Sequence, residues 1–99
     1  VLSGEMISAD EALRSGLVAK VFPKAELLPK ALEMASKIAQ FSSPVLNMAK
    51  DCVNQSTNLP LDQGLLFERR VFHATWGLAD RKEGMTAFAE KRAAVFKNE

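Results

Sequence analysis

A phenylalanine, a carboxylate and two basic residues lie together near the carboxyl end of the chain, in the run Phe88-Ala89-Glu90-Lys91-Arg92. An aromatic ring offers a flat apolar face to a base, and an ammonium group pairs with phosphate as a point charge. These residue types suit the edge of a pocket for a phosphate-bearing ligand. The simpler interpretation is the end of an amphipathic helix whose basic residues are solvated and complement the helix dipole.

Metal and nucleophile chemistry have little support in the sequence. The chain has one cysteine, Cys52, and one histidine, His73, so no set of Cys and His ligands exists for zinc. Cys52 lies on the apolar stripe of a predicted helix and is interpreted as a small core residue. His73 lies on a polar helix face with no nucleophile placed beside it. We predict no metal site.

The composition describes one folded unit of 99 residues, with 47% hydrophobic residues, 25% charged residues and a net charge of +1. Such a balance gives no signal for nucleic-acid binding, and there is room for one modest core. No apolar run approaches the roughly 20 residues that span a bilayer, so no membrane partner is expected. The start has neither an initiator Met nor a signal peptide, and a lone cysteine fits a reducing compartment. We expect the chain to be part of something longer.

These residues must be positioned by short helices, of which we predict about five. Ser8 and Glu11 have capping-box spacing, and Gly16 supplies a left-handed stop for the first helix. The apolar alternation over 17–22 predicts a short extended segment that could be strand-like. Apolar residues at three- and four-residue steps predict three further helices. These cover 25–40, a segment opened by a serine cap and Pro44, and 61–76.

The last predicted helix begins at Asp80, which we expect to cap it with Glu83 as the reciprocal partner. Gly84 within it costs helix stability, so close approach of another backbone or of a ligand is expected there. Its predicted buried stripe consists of Met85, Phe88 and Ala89.

The helix over 61–76 has apolar residues on two adjacent arcs, which is too wide a surface for one neighbour. Glu68 falls within that surface, where a buried carboxylate needs a cationic or hydrogen-bonding partner. We therefore predict an oligomer interface, made by Leu65, Phe67, Glu68, Phe72 and Trp76. One hypothesis of function is a self-contained helical oligomerisation and interaction module.

Two stretches carry a family resemblance. "DRKEGMTAFAEKRAAVF" resembles the C-terminal signature of the crotonase superfamily, and is most similar to that of short-chain enoyl-CoA hydratases. "VLSGEMISADEALRSGLVAKVFP" resembles an upstream segment of the same family, and "LLFERRVFHATWGLADRKEG" fits the hydratase branch. Many relatives have proline where this chain has Ala94. The resemblance covers essentially all 99 residues.

The resemblance implies a mainly α fold, the C-terminal helical (trimerisation) domain of the crotonase fold. Residues 1–23 would end the core region, and 24–99 would form the helical domain. The implied reaction is hydration of trans-2-enoyl-CoA to 3-hydroxyacyl-CoA in fatty acid β-oxidation, with double-bond isomerisation as the alternative. The family's catalytic glutamates and oxyanion-binding N–H groups lie upstream of this chain. We therefore carry over no catalytic residue and expect the chain alone to be inactive.

The resemblance also implies contact with coenzyme A, the carrier part of an acyl-CoA substrate. Phe72 and Lys91 would reach the adenine and 3′-phosphate end, with Phe88 as a further CoA-binding candidate. The expected assembly is a homo-oligomer, a trimer or dimer of trimers, and no separate cofactor is expected. The expected location is the mitochondrial matrix in a eukaryote and the cytoplasm in a bacterium.

Overall fold

The computed structural model describes residues 2–99, and these form α-helices joined by short turns. The described residues contain no β-strand, which confirms the predicted mainly α class. The elements in chain order are α1 (Ala9–Arg14), α2 (Lys24–Ile38), α3 (Ser43–Gln55), α4 (Leu61–Ala74), a 3-10 turn (Thr75–Gly77) and α5 (Ala79–Glu90).

Helix α1 has the two ends that its sequence predicts. The Ser8 hydroxyl accepts a hydrogen bond from the N–H of Glu11 at 3.1 Å. Gly16 takes a left-handed conformation with φ of 76°, and the N–H of Leu17 then bonds to the carbonyl of Ala12 at 2.9 Å. This is a Schellman closure, in which Gly avoids the steric cost of a Cβ.

The predicted extended segment over 17–22 lies outside the helices, as expected, but it forms no strand. A strand needs a hydrogen-bonding partner, and the described part of the chain offers it none. Helix α2 follows, and its apolar side chains, such as Leu28 and Leu32, stay exposed. Pro29 lies in its second turn rather than its first, so it removes the N–H that would bond to the carbonyl of Ala25.

Packing divides the chain into two compact units, with the boundary between Ser36 and Lys37. In the first unit the buried apolar residue is Ala12 of α1. The predicted division after residue 23, between the end of a core region and the helical domain, stays a prediction.

In the second unit α3 packs on α4, and the 3-10 turn packs on both α4 and α5. Thr75 is buried in this turn, where its hydroxyl donates to the carbonyl of Phe72 at 2.7 Å. Next to it the guanidinium of Arg81 lies 3.5 Å from the ring centroid of Trp76, a cation–π contact. The turn therefore fixes where α5 begins.

The carboxylate of Asp80 does not cap α5, and this prediction is wrong. Leu78 occupies the cap position. Asp80, only 3% exposed, accepts hydrogen bonds from residues 92–99, which follow α5 and which we call the tail. The N–H groups of Lys97 and Asn98 reach its two oxygens at 2.7 and 2.8 Å. The N–H of Asp80 in turn donates to the carbonyl of Glu99 at 3.0 Å. The tail folds back on the first turn of α5, and its N–H groups bind the carboxylate oxygens of Asp80 that would otherwise have capped the helix.

The start of α3 is capped by the same tail. The side-chain oxygen of Asn98 accepts a hydrogen bond from the N–H of Ser43 at 2.8 Å. Ser42 makes no side-chain cap bond, so the predicted serine cap is wrong. Its buried hydroxyl instead faces the Asp80 carboxylate. The tail therefore joins the first turns of α3 and α5.

Candidate functional site

The apolar stripe predicted for α5 stays largely exposed in the structure. Phe88 is 84% exposed, and Met85 and Ala89 are exposed too. The predicted buried stripe is therefore wrong. Ala87, at 1% exposure, is the buried apolar residue of α5 instead.

The tail lies against the same face of α5. A Cβ at Gly84 would lie 3.4 Å from the ring of Phe96, an ordinary van der Waals contact, so the ring packs beside this glycine without requiring it. The neighbour at Gly84 is thus a side chain and not the backbone or ligand expected from the sequence. Phe88, one turn further on the same face, lines the open cleft beside the tail and stays exposed.

Lys91 ends α5 in a left-handed conformation, with φ of 55° and ψ of 36°. The N–H of Lys91 bonds to the carbonyl of Phe88 at 3.2 Å, and that of Arg92 bonds to the carbonyl of Ala87 at 3.0 Å. These two bonds form a Schellman closure like that of α1. Here, however, a lysine occupies the position that normally favours glycine, at a steric cost.

Arg92 is held by two carboxylates of α5. Its terminal nitrogens donate to the two oxygens of Glu83 at 2.6 and 2.9 Å, and its Nε donates to Glu90 at 2.7 Å. The N–H of Val95 adds a hydrogen bond to Glu83 at 2.9 Å. Glu83 therefore binds both the side chain of Arg92 and the backbone of Val95, which lie in the tail.

The ionisation of these groups follows from their contacts. Hydrogen bonds from Arg92 and from the Val95 N–H lower the pKa of Glu83 to about 2, and the charges of Arg92 and Lys97 act in the same direction. The same contacts with Glu83 and Glu90 raise the pKa of Arg92 above its usual range. The pair is therefore ionised throughout the ordinary pH range.

The pKa of Asp80 is also lowered, but its causes differ from those at Glu83. Burial by itself raises the pKa of its carboxyl group. The Ser42 hydroxyl that faces the carboxylate and the backbone groups of the tail lower it by more, so the net pKa lies below the ordinary value. Asp80 is therefore held as a carboxylate although its side chain is buried.

Lys91 differs from its neighbour Arg92. Its ammonium makes no hydrogen bond and no ion pair with any part of the chain that the structure describes. An open cleft of about 340 Å³ lies between the end of α5, the tail and the residues before α3, and Lys91 is not among its lining residues. The cleft is lined by Gln40, Phe41, Gly84, Ala87, Phe88, Arg92, Ala93, Ala94 and Phe96. An exposed aromatic ring and an unpaired cation thus lie at one helix end.

Phe72 lies elsewhere in the unit. It is 58% exposed and lines a groove of about 320 Å³ between α3 and α4, together with Met48, Cys52 and Val71. This groove and the cleft at Phe88 share no lining residue. Of the three predicted CoA-binding residues, Phe88 lines the cleft at the end of α5, Lys91 follows it by one turn at the same helix end, and Phe72 lies in the separate groove.

The predicted interface residues divide into two groups. Leu65, Phe72 and Trp76 are at least half exposed, whereas Phe67 is half-buried. The side chain of Glu68 is open to solvent and has no hydrogen bond or ion pair within residues 2–99. Because Glu68 is not buried within this chain, it has no desolvation penalty here. A partner supplied by a second subunit stays a prediction.

Neither a metal centre nor a membrane span is found in the described residues. No group of three or more His, Cys, Asp or Glu side chains among them could hold an ion. None of their helices is long and apolar enough to cross a bilayer. Cys52 is half-buried in the α3/α4 groove, and His73 lies 6.1 Å from Phe72, ring centroid to ring centroid.

Sequence reasoning missed the role of Asp80, Glu83 and Asn98 in fixing the tail. The spacing of Asp80 and Glu83 is also that of a capping box, and nothing local separates the two uses. The sequence feature that could have indicated this role is Arg92, a cation that lies nine residues after Glu83 and just past the end of α5.

The sequence and the fold of the chain are both similar to those of known proteins. The family model for enoyl-CoA hydratase/isomerase matches residues 1–99. The chain therefore belongs to the enoyl-CoA hydratase/isomerase family, which confirms the resemblance seen in its two motifs.

Individual relatives agree with this assignment. A probable mitochondrial enoyl-CoA hydratase of Dictyostelium discoideum is 51% identical over 98 residues, which are 99% of this chain and 35% of the relative. A probable enoyl-CoA hydratase of Rhizobium meliloti is also 51% identical, over 99% of this chain and 38% of the relative. The crystal structure of enoyl-CoA hydratase from Bacillus anthracis matches with a TM-score of 0.92 and 36% identity, over 100% of this chain and 38% of its own. The chain thus spans little more than a third of each.

Proposed function

We propose that this chain is the C-terminal part of an enoyl-CoA hydratase that converts a trans-2-enoyl-CoA to a 3-hydroxyacyl-CoA. Its similarity to about a third of each named hydratase supports this. The groups that activate water and bind the thioester oxygen would come from residues outside this chain, so the chain alone would not catalyse the reaction. Coenzyme A is part of the substrate, and no separate cofactor takes part.

The reaction and the location can be tested together. An antibody against the sequence LADRKEGMTAFAEKR would isolate the natural gene product from a source extract, and its mass and cellular fraction would be measured. We expect a product about two to three times as long as this chain, in the mitochondrial matrix of a eukaryote or the cytoplasm of a bacterium. Incubation with crotonyl-CoA should give the 3-hydroxyacyl product, whereas a shifted double bond would favour isomerisation.

Within that enzyme, we propose that the end of α5 contacts the adenine and 3′-phosphate of coenzyme A. The observation that carries this proposal is that exposed Phe88 and Lys91, the cation that no carboxylate holds, both lie at the end of α5. Arg92 is a poorer phosphate partner, because Glu83 and Glu90 already occupy its donors. Phe72 remains a second proposed contact, in a separate groove.

Substitution of Lys91 tests this contact. In the longer enzyme, Lys91→Ala should raise KM for crotonyl-CoA about three- to fivefold with little change in kcat, as loss of a solvent-exposed ionic contact remote from the reaction does. Lys82→Ala is the matched control, since Lys82 is an exposed lysine of the same helix. An unchanged KM for Lys91→Ala would remove this residue from the pocket. Phe88→Ala and Phe72→Ala compare the two candidate rings in the same assay.

A second role, assembly into a homo-oligomer, is favoured by an exposed apolar arc formed by α4 and the 3-10 turn that follows it. Leu65 is 52% exposed and Trp76 60%, although both are large apolar side chains. Exposed apolar surface of this kind marks interaction sites. We propose that this arc contributes to a trimer or a dimer of trimers.

Sedimentation of the 99-residue chain and of the longer enzyme tests this role. Leu65→Asp should lower the measured mass of the assembly while helicity by circular dichroism is kept. A chain that assembles but binds no CoA, even within the longer enzyme, would favour the alternative of a pure interaction module. An unchanged mass for Leu65→Asp would exclude this arc from the interface.

A further inference from the structure

A carboxylate two turns before the end of α5 controls how its last residues are presented. Glu83 does not reach the cleft beside Phe88, yet it accepts hydrogen bonds from Arg92 and from Val95, on the far side of Lys91. These contacts tie the chain that leaves the helix back onto the helix itself. Lys91 lies within the loop of chain that this tie closes.

The backbone at Lys91 explains why such a tie is needed. A left-handed conformation is disfavoured for a residue with a Cβ, and it persists where the surroundings over-determine it. Lys91 lies between the last turn of α5 and Arg92, and both are fixed, the second by Glu83 and Glu90. Without Glu83, the backbone hydrogen bonds that close the helix at Lys91 would remain. Arg92, the next residue, would lose the carboxylate that binds both of its terminal nitrogens.

Charge adds a second effect. A paired Arg92 does not compete with Lys91 for an anionic ligand, because a bidentate carboxylate satisfies the fork of its guanidinium. Glu83 therefore also determines which of two adjacent cations faces the ligand.

We propose that Glu83 is a positioning residue for coenzyme A binding, acting through Arg92 and the tail to hold Lys91 toward the 3′-phosphate. This inference rests on the proposed CoA contact of Lys91. It predicts that Glu83 affects binding only when Lys91 is present, although the structure shows no contact between their side chains.

The test is a double-mutant cycle in the longer enzyme, with KM and kcat measured for crotonyl-CoA. Glu83→Gln should raise KM about twofold or more with little change in kcat. In a Lys91→Ala background, the same substitution should raise KM no further. A Glu83 with a purely structural role would raise KM equally in both backgrounds, and that result would overturn the proposal.

The remaining outcomes separate the two proposals. If Lys91→Ala raises KM but Glu83→Gln does not, the positioning role is wrong and the CoA contact stands. If Lys91→Ala leaves KM unchanged, both are wrong. If Glu83→Gln does not fold by circular dichroism, Arg92→Gln breaks the same pair and takes its place, and an unchanged KM for that variant would equally overturn the proposal.

Discussion

At the scale of single residues, Lys91 is placed at a cost in stability. Its φ of 55° suits glycine, and a side chain there costs roughly 1 kcal/mol. The chain accepts this cost at the residue for which we propose a binding role. Strained positions tend to cluster at functional sites for this reason.

This leads to a prediction that separates stability from binding. Lys91→Gly should increase the free energy of unfolding of the 99-residue chain by about 1 kcal/mol relative to Lys91→Ala, because glycine removes the steric cost. Both variants lose the ammonium, so both should raise KM for crotonyl-CoA equally in the longer enzyme. Urea unfolding and steady-state kinetics give the two quantities. Equal stability of the Gly and Ala variants would show that the bend is not strained.

A second residue-scale prediction concerns acid. The pKa of Glu83 is lowered from an ordinary 4.5 to about 2 by Arg92 and the Val95 N–H, so its contribution to stability is complete above pH 4.5 and is lost as the pH falls toward 2. Asp80, whose pKa is lowered from 3.8, changes stability in the same direction. The positive charge of Lys97 acts on the pKa of Glu83 in the same direction as that of Arg92.

Thermal unfolding as a function of pH tests this. The wild-type chain should be more stable than Glu83→Gln at neutral pH, and their unfolding temperatures should converge on acidification between pH 4.5 and 2. A constant difference between the two proteins at every pH would show that the charge of Glu83 does not stabilise the tail.

At the scale of elements, the tail replaces local helix caps. Asn98 caps α3 from 55 residues away, and Asp80 binds the tail instead of capping its own helix. The first turns of α3 and α5 are therefore stabilised by one segment. Loss of that segment should be felt by both helices.

The corresponding prediction uses Asn98→Ala. Removal of a helix-capping side chain costs about 1 kcal/mol, and we expect this loss in the free energy of unfolding. Asn47→Ala is the matched control, since Asn47 is exposed within α3 and alanine is the better helix former there. Urea denaturation should therefore shift in opposite directions for the two variants. If Asn98→Ala were as stable as the wild type, the distant cap would contribute nothing.

The elements also show which features a sequence can reveal. The ends of α1 depend on Ser8, Glu11 and Gly16, which are neighbours in the chain, and they were predicted correctly. The use of Asp80 was not, because its partners lie 17 and 18 residues away. The direction of Phe88 was also missed, since helical periodicity finds an apolar face but not which neighbour covers it. At the candidate site, the family motif indicated Lys91, whereas only the structure shows that Arg92 is already paired.

At the scale of the whole molecule, large apolar side chains remain exposed on several helices, including Leu28 of α2, Trp76 beside α4 and Phe88 of α5. A protein that spans about a third of its relatives has few residues with which to cover them. We expect residues outside this chain, or further copies of it, to bury much of this surface in the longer enzyme.

The central claim is that the end of α5 binds the 3′-phosphate of an acyl-CoA, and one comparison tests it most directly. KM of the longer enzyme would be measured for crotonyl-CoA and for its 3′-dephospho analogue, with Lys91 and with Lys91→Ala. We predict that the wild type has a clearly higher KM for the dephospho analogue and that this preference disappears in the variant. The same preference in both proteins would contradict the claim.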